Sequence, residues 1–236
     1  MMAKAISIPV DFDASQWPVA DLAWVNTPSN PTGRVHTRAE LLEAISYSRK
    51  NKTVLACDEC YLEFGYDKTP FSILSLTEGN NQNILAVHSL SKRSSLAGYR
   101  AGFVIGDSDL IAKIREVRKH AGMMVALPIQ LAMIAALSDS THVQERRDRY
   151  NARREALTPA LIRHGFRIDE SHAGLYIWCT RDEDSWESVD WLANLGILAT
   201  PGSFYGSSGA KHIRVALTAT DAQINQALAR LNQTAS

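Results

Sequence analysis

The chain has 236 residues, of which 45% are hydrophobic and 21% charged, with 25 basic side chains balanced by 25 acidic ones. That is enough chain and enough apolar content for one large or two modest domains with a real core. Lys and Arg are spread along the sequence rather than clustered, so there is no electrostatic footprint for nucleic acid or an anionic membrane, and small uncharged or anionic substrates stay open.

The N-terminal stretch from Met1 to Asp13 has one Lys and only a short apolar run, Ile6-Ser-Ile-Pro-Val10, which is not the core of a signal peptide, and the protein reads as cytoplasmic. Asp21 to Asn26 is a strand pattern, followed by a cluster of turn formers, Thr27-Pro-Ser-Asn-Pro-Thr-Gly33. Thr37-Arg-Ala-Glu40 has the spacing of a capping box and predicts a helix to about Lys50, with Leu41, Leu42 and Ile45 on one face. Thr53 to Cys57 is a short apolar strand ending at Asp58. Ile84 to His88 is the next strand, and Gly102 to Gly106 the one after.

Between the last two lies Ser89-Leu-Ser-Lys-Arg-Ser-Ser-Leu-Ala-Gly-Tyr-Arg100, a polar loop holding Lys92 and Arg100. Asp107 or Ser108 caps a helix to His120. The longest apolar run, Ala121 to Leu137, is too short for a membrane span and broken by Pro128 and Gln130, so it is expected to be a buried helix. Strands separated by helices or long connections, each a continuous apolar run, point to a parallel sheet covered on both faces.

A charge-rich helix signal from Ser140 to His164 stops at Gly165, and the pattern then changes. Phe166 to Ile168, Leu175 to Cys179, Ile197 to Thr200 and His212 to Leu217 read as strands, with helices at Ser185 to Leu195 and Thr220 to Asn232. The expected organisation is therefore two units, 1–140 and a smaller α+β unit, 141–236. Three cysteines do not make a disulfide framework. Cys57 and Cys60 have C-x-x-C spacing, but only Cys179 remains to complete a metal site, and small buried side chains are the expected reading.

In open α/β sheets, ligands bind beyond the carboxyl ends of the strands. Three polar groups fall at such ends: Asn30; Asp58 with Tyr61; and Ser89 with Lys92. Each alone has a plain structural reading. A strand-end lysine is often a solvated charge, Asp58 could cap a helix, Asn30 could shape a turn, and Arg214 in His212-Ile-Arg-Val-Ala-Leu217 could sit on the polar face of a strand.

Taken together, Asn30-Pro-Thr-Gly33, Asp58-x-x-Tyr61, Ser89-x-Ser-Lys92 and Gly98-x-Arg100-x-Gly102 resemble class I and II aminotransferases, which are fold-type I pyridoxal 5′-phosphate enzymes. The resemblance implies an α/β fold: a large cofactor-binding domain with a mostly parallel sheet, its C-terminal part here, and a smaller C-terminal α+β domain. It implies that Lys92 joins the cofactor aldehyde and then carries the proton between the substrate Cα and the cofactor. Asp58 would hold the pyridine nitrogen protonated, Asn30 and Tyr61 would bind the ring oxygen, Ser89 and Arg100 the phosphate, and Arg214, with Asn30, the substrate carboxylate. Gly174-Leu-Tyr-Ile-Trp178 and Thr200 to Gly206 occupy the places of substrate-lining segments.

The local wording, including Asp58-Glu-Cys-Tyr-Leu-Glu63 and Arg118-Lys-His-Ala-Gly-Met-Met124, is similar to the actinobacterial succinyldiaminopimelate aminotransferases of lysine biosynthesis. The implied reaction passes an amino group between glutamate and N-succinyl-2-amino-6-ketopimelate in a cytoplasmic homodimer, with no metal, nucleic acid or membrane partner. The family places a longer segment ahead of Asn-Pro-Thr-Gly than the 29 residues here. Lacking the family's N-terminal third, the chain is expected to leave an unpaired sheet edge and exposed apolar surface, and to hold the cofactor weakly. A lyase on the same fold and an inactive fragment are the alternatives.

Overall fold

The computed structural model describes residues 5–233. Four strands, β1 (Leu22–Asn26), β2 (Val54–Asp58), β3 (Ile84–Ser89) and β4 (Gly102–Gly106), form one sheet in the order β1-β2-β3-β4. β1, β2 and β3 pair in parallel, with Asn26 opposite Asp58 and Asp58 opposite Val87. β4 pairs antiparallel to β3, so the sheet is mostly parallel, as the resemblance implies, with β4 the one strand that departs from the parallel pattern read from its apolar run. The chain between them folds back as a short helix α2 (Leu90–Arg93) and a 3-10 turn at Ala97–Tyr99, without the crossover that a parallel partner needs.

Helix α1 (Arg38–Asn51) begins with the expected capping box: Thr37 N donates to Glu40 Oε2 at 2.7 Å, and Glu40 N donates to Thr37 Oγ1 at 3.3 Å. It ends at Lys52 in the left-handed conformation, φ 56°. Its buried face is Leu41, Ala44, Ile45 and Tyr47, packed on Val25, Leu55, Cys57, Ile84 and Ala86 from alternate positions of the three parallel strands. Leu42, expected on that face, is exposed, because it lies one residue round the helix from Leu41.

The opposite face of β1 is open, with Leu22 and Trp24 more than half exposed. Helices α3 (Ser108–His120, capped by Asp107) and α4 (Leu127–Ser138) follow β4. No residue of α4 is buried, and Leu127, Leu131 and Ile134 are each more than half exposed. The expectation of a buried helix from Ala121 to Leu137 is thus corrected. Apolar composition all round says that a helix can be buried, not what covers it.

Helix α5 (Thr141–Arg163) leads to Gly165 at φ 82° and then to a second, antiparallel sheet. It comprises β5 (Arg167–Ile168), β6 (Tyr176–Thr180), β7 (Thr200–Pro201) and β8 (His212–Ala216) in the order β5-β6-β8-β7, with α6 (Ser185–Asn194) between β6 and β7 and α7 (Asp221–Gln233) last. Ile197 to Ala199, read as strand from the sequence, is not; only Thr200 and Pro201 pair with β8. Ile177 and Cys179 of β6 and Ile213 and Val215 of β8 face a core with Leu157, Leu161, Leu192 and Leu231. Strict alternation therefore turns Trp178 and Arg214, directly opposite each other in register, to the other face. No described helix is long and apolar enough to cross a membrane.

The two sheets meet through backbone. Ser171 N donates to Thr32 O at 2.8 Å, Ala173 N to Gly33 O at 3.0 Å and Gly174 N to Phe64 O at 2.8 Å. Gly33 makes this approach possible. Its φ is +70°, and a Cβ there would stand 2.6 Å from Ala173 O.

Candidate functional site

The last turn of that junction gathers the strand-end residues. At the tip of β1, Asn26 is tied both ways: its Nδ2 donates to Asp58 O at 3.1 Å, and its Oδ1 accepts from Asn30 N at 2.7 Å. Thr27 N donates to the same Asp58 carbonyl at 3.0 Å. The Asn-Pro-Thr-Gly turn is thereby fixed to the end of β2. Asn30 Oδ1 in turn accepts from Arg214 Nη1 at 2.9 Å, joining two residues 184 positions apart in sequence.

Arg214 is held in a sleeve of rings. Its guanidinium carbon lies 3.8 Å from the centroid of Tyr176 and 5.1 Å from that of Tyr205, both distances at which an aromatic face attracts a cation. Arg214 Nε is buried and has no hydrogen-bond partner among the described residues. A buried charged donor without a partner is costly, so this edge of the guanidinium is suited to an acceptor from outside the chain.

Tyr61, 6% exposed, meets Tyr176 edge to face with centroids 6.3 Å apart. Burial first, then the neighbouring Tyr176, pushes its phenol well above the ordinary range, so Tyr61 is a neutral hydroxyl at working pH. Asp58 spends one carboxylate oxygen on Cys60 N, at 3.1 Å. The Cys60 thiol is pushed up to about 12 by burial and by Asp58, while the Lys92 ammonium pulls it the other way. Cys60 therefore lies within electrostatic reach of both Asp58 and Lys92.

Lys92 is half-buried in α2, whose N-cap is Ser89: Ser91 N donates to Ser89 Oγ at 3.1 Å, leaving that hydroxyl's proton to donate elsewhere. The backbone of the lysine turn is clamped from α5 and α4. Arg146 Nη1 donates to the carbonyls of Lys92 and Arg93, each at 3.3 Å. Arg93 itself pairs with Glu63 at 2.8 Å and donates to Ala136 O at 2.7 Å.

The structure thus brings Asn30, Asp58, Tyr61 and Arg214 into one connected group, with Ser89 and Lys92 beside it on the next strand end. Arg100 stands apart. It is exposed, at φ 51°, and donates to Ala97 O at 2.8 Å, a contact within its own turn. Asn26, Tyr176, Tyr205, Arg93 and Arg146 were not singled out by sequence reasoning. Asn26, as the last polar residue of an apolar strand, and Tyr176 and Tyr205, each inside a segment already placed at the substrate side, carried a signal; the arginines, among 25 basic side chains, carried none.

A mostly parallel α/β sheet with an amine, a carboxylate, a phenol and a guanidinium at its carboxyl end, closed by a smaller antiparallel unit, is the architecture of the pyridoxal-phosphate transferases. The sequence matches the family model for class I and II aminotransferases over residues 11–231, and the chain belongs to that family. It is 53% identical to a Mycobacterium tuberculosis protein named probable aminotransferase, over 89% of this chain and 51% of the relative. It is 49% identical to the 4-dedimethylamino-4-oxo-anhydrotetracycline transaminase OxyQ of Streptomyces rimosus, over 98% and 65%.

The LL-diaminopimelate aminotransferase of Dehalococcoides mccartyi is 32% identical, over 90% and 56%. The chain therefore spans between about half and two thirds of the length of these relatives. Among solved structures, the aromatic aminotransferase of Pyrococcus horikoshii superposes with a TM-score of 0.84 at 25% identity, covering 96% of this chain and 63% of that one.

The family depends on pyridoxal 5′-phosphate, and the donor set fits it. If it is bound here, Lys92 would offer the amine for its aldehyde, Asp58 the carboxylate for its ring nitrogen, the neutral Tyr61 phenol a donor for its ring oxygen, and Ser89 a hydroxyl for its phosphate.

Proposed function

We propose that the chain catalyses pyridoxal-phosphate-dependent transamination between an α-amino acid and a 2-oxo acid, with glutamate as donor and N-succinyl-2-amino-6-ketopimelate as acceptor. The observation that carries the reading is the 2.9 Å contact between Arg214 and Asn30, which sets a carboxylate-binding guanidinium, with its Nε unsatisfied, on the motif fixed to Asp58. A diaminopimelate-type substrate is in keeping with the name of the Dehalococcoides relative, and the succinylated acceptor rests on the local wording around Lys92 and Asp58 alone.

In this reading, residues 1–140 are part of the cofactor-binding domain, residues 141–236 form the small domain, and two chains associate in the cytoplasm. Bound cofactor supplies a ring that takes up the electron pair left when the Cα–H bond breaks. Asp58 would hold the ring nitrogen of the bound cofactor in its protonated form. Lys92 would take the proton from the substrate Cα and carry it toward the cofactor. Arg214 holds the substrate carboxylate against the ring face of Tyr176, and Asn30 and Tyr61 fix the ring oxygen. Ser89 takes the phosphate together with Arg100, whose exposed guanidinium gives up a single contact within its own turn to do so.

The test is spectroscopic. Purified protein titrated with pyridoxal phosphate develops a visible absorption band that Lys92→Ala abolishes, and glutamate converts the bound cofactor to its pyridoxamine form. A chain that shows no band in excess cofactor, or whose band gives other products with glutamate, overturns the proposal; the second result would make it a lyase.

A further inference from the structure

Immediately behind the site residues, on the α1 side of the sheet, the chain buries a carboxylate that the chemistry above does not use. Glu59, which follows Asp58, is fully buried at its side chain. Its Oε1 accepts from Ile73 N at 2.7 Å and from Ser72 Oγ at 3.1 Å. Its Oε2 has no hydrogen-bond partner of good geometry among the described residues, and what faces it is His88 Nε2 at 3.2 Å. His88, which precedes Ser89, is in turn stacked on Phe103 of β4, centroids 4.9 Å apart and planes 21° from parallel. Phe103 is its register partner across the antiparallel pair.

Burying a carboxylate this completely costs several kcal/mol unless hydrogen bonds and a countercharge offset it. The chain keeps one at the position where a purely structural strand end would take an apolar residue. Its partners lie on three separate segments: the 3-10 turn at Ile73–Leu76, the tip of β3, and through His88 the start of β4. The backbone at the same place is continuous with it, since Glu59 N donates to Val87 O at 2.8 Å. Because alternate residues of a strand point to opposite faces, fixing Glu59 and His88 from behind fixes Asp58 and Ser89 in front.

We infer that Glu59 and His88 form a positioning pair, which locks the tips of β2 and β3 in register and so sets Asp58 against Ser89 and the Lys92 turn. The consequence for cofactor rests on the proposed function; the mechanical part does not. Neither residue touches the reacting atoms.

The experiment is amide hydrogen exchange by mass spectrometry on the full chain without cofactor, paired with a pyridoxal-phosphate titration read by the visible band. His88→Phe keeps the stack on Phe103 and removes the partner of Glu59. His88→Asn keeps polarity but is too short to reach, and reads the same effect if His88→Phe fails to fold by far-UV circular dichroism. His88→Gln retains a donor of suitable length.

The expected result is exchange at least tenfold faster in peptides covering residues 58–62 and 87–93, unchanged in α1 and in the second sheet. Cofactor affinity falls about tenfold, and both effects are restored by His88→Gln. Exchange that is unchanged, that rises uniformly across the chain, or that rises locally while cofactor affinity holds, overturns the inference. A wild-type chain that binds no cofactor sinks the proposed function, and the exchange arm, with its His88→Gln rescue, still decides the pair.

Discussion

Replacing Arg214 by Lys keeps one positive charge but removes the planar fork, and the geometry says what that should cost. The guanidinium makes a 2.9 Å hydrogen bond to Asn30 through Nη1, lies 3.8 Å above Tyr176, and keeps a buried Nε without a partner. An ammonium at the end of a flexible stem reproduces the charge, but it cannot hold Asn30, stack on the ring and present two parallel N–H groups to a carboxylate at once. One lost charge-assisted hydrogen bond to a carboxylate is worth about 1.5–3 kcal/mol, roughly a ten- to hundredfold loss in affinity. The assay is titration of the cofactor-loaded protein with glutamate, and separately with a dicarboxylate inhibitor such as maleate, following the visible band. Arg214→Lys should weaken both ligands by that factor and lower cofactor affinity less, since the Asn30 contact is the one link lost between Arg214 and the proposed cofactor group. Equal glutamate affinity in wild type and variant, or a loss seen only in cofactor binding, would refute the assignment of Arg214 to the carboxylate.

Gly33→Ala places a methyl 2.6 Å from Ala173 O and 2.8 Å from Ser171 Cα at φ +70°, so either the backbone strains or the two sheets separate there. A destabilisation of about 2 kcal/mol should lower the thermal midpoint by roughly 4–8 °C, measured by calorimetry, and a shift under 1 °C contradicts the packing described. His36 is buried against Phe12, and its pKa is held down at about 4, against an ordinary 6.5, by burial first and by the Arg34 cation second. A folded-state pKa below the unfolded one means that the unfolded chain binds the extra proton. Stability is therefore full above pH 6.5 and falls as the pH drops toward 4, by a few kcal/mol from this residue. Urea denaturation across that range should show a flatter profile for His36→Gln than for wild type, and parallel profiles would refute it.

Much of this arrangement was legible in the sequence because it rests on local chemistry. The capping box at Thr37 and Glu40, the strands ending at Asn26 and Asp58, and the glycines at 33 and 165 each follow from residue types at short spacing. Three things were not legible, for different physical reasons. The direction of β4 depends on whether Leu90 to Ala101 crosses the sheet or turns back, and an apolar strand pattern has the same period either way. The exposure of α4 could not be read, because apolar composition reports what a helix can bury, while its neighbours decide whether it does. The sleeve around Arg214 joins Tyr176, Tyr205 and Asn30, residues far apart in the chain whose meeting is a property of register and of the junction between sheets.

That junction also explains why the group of residues around Asp58 is so highly connected. Asn30 is held from one side by Asn26, which is bound to the end of β2, and from the other by Arg214, which is bound in β8 opposite Trp178. The turn that carries Asn30 continues into Gly33, where the 171–174 segment crosses at backbone contact and then enters β6 with Tyr176. Tyr176 returns to Arg214 by its face and meets Tyr61 in an edge-to-face pair. The path from Asn30 through Gly33, Ala173, Tyr176 and Arg214 back to Asn30 is a closed ring of contacts spanning both sheets. A closed ring transmits a displacement at any member to the others, because packed interiors yield in discrete rearrangements rather than by gradual deformation. The unpartnered edge of Arg214 and the strand-end group around Asp58 are therefore positioned by one structure, and Arg214 and Tyr176, on neighbouring strands of the second sheet, move as one unit relative to it.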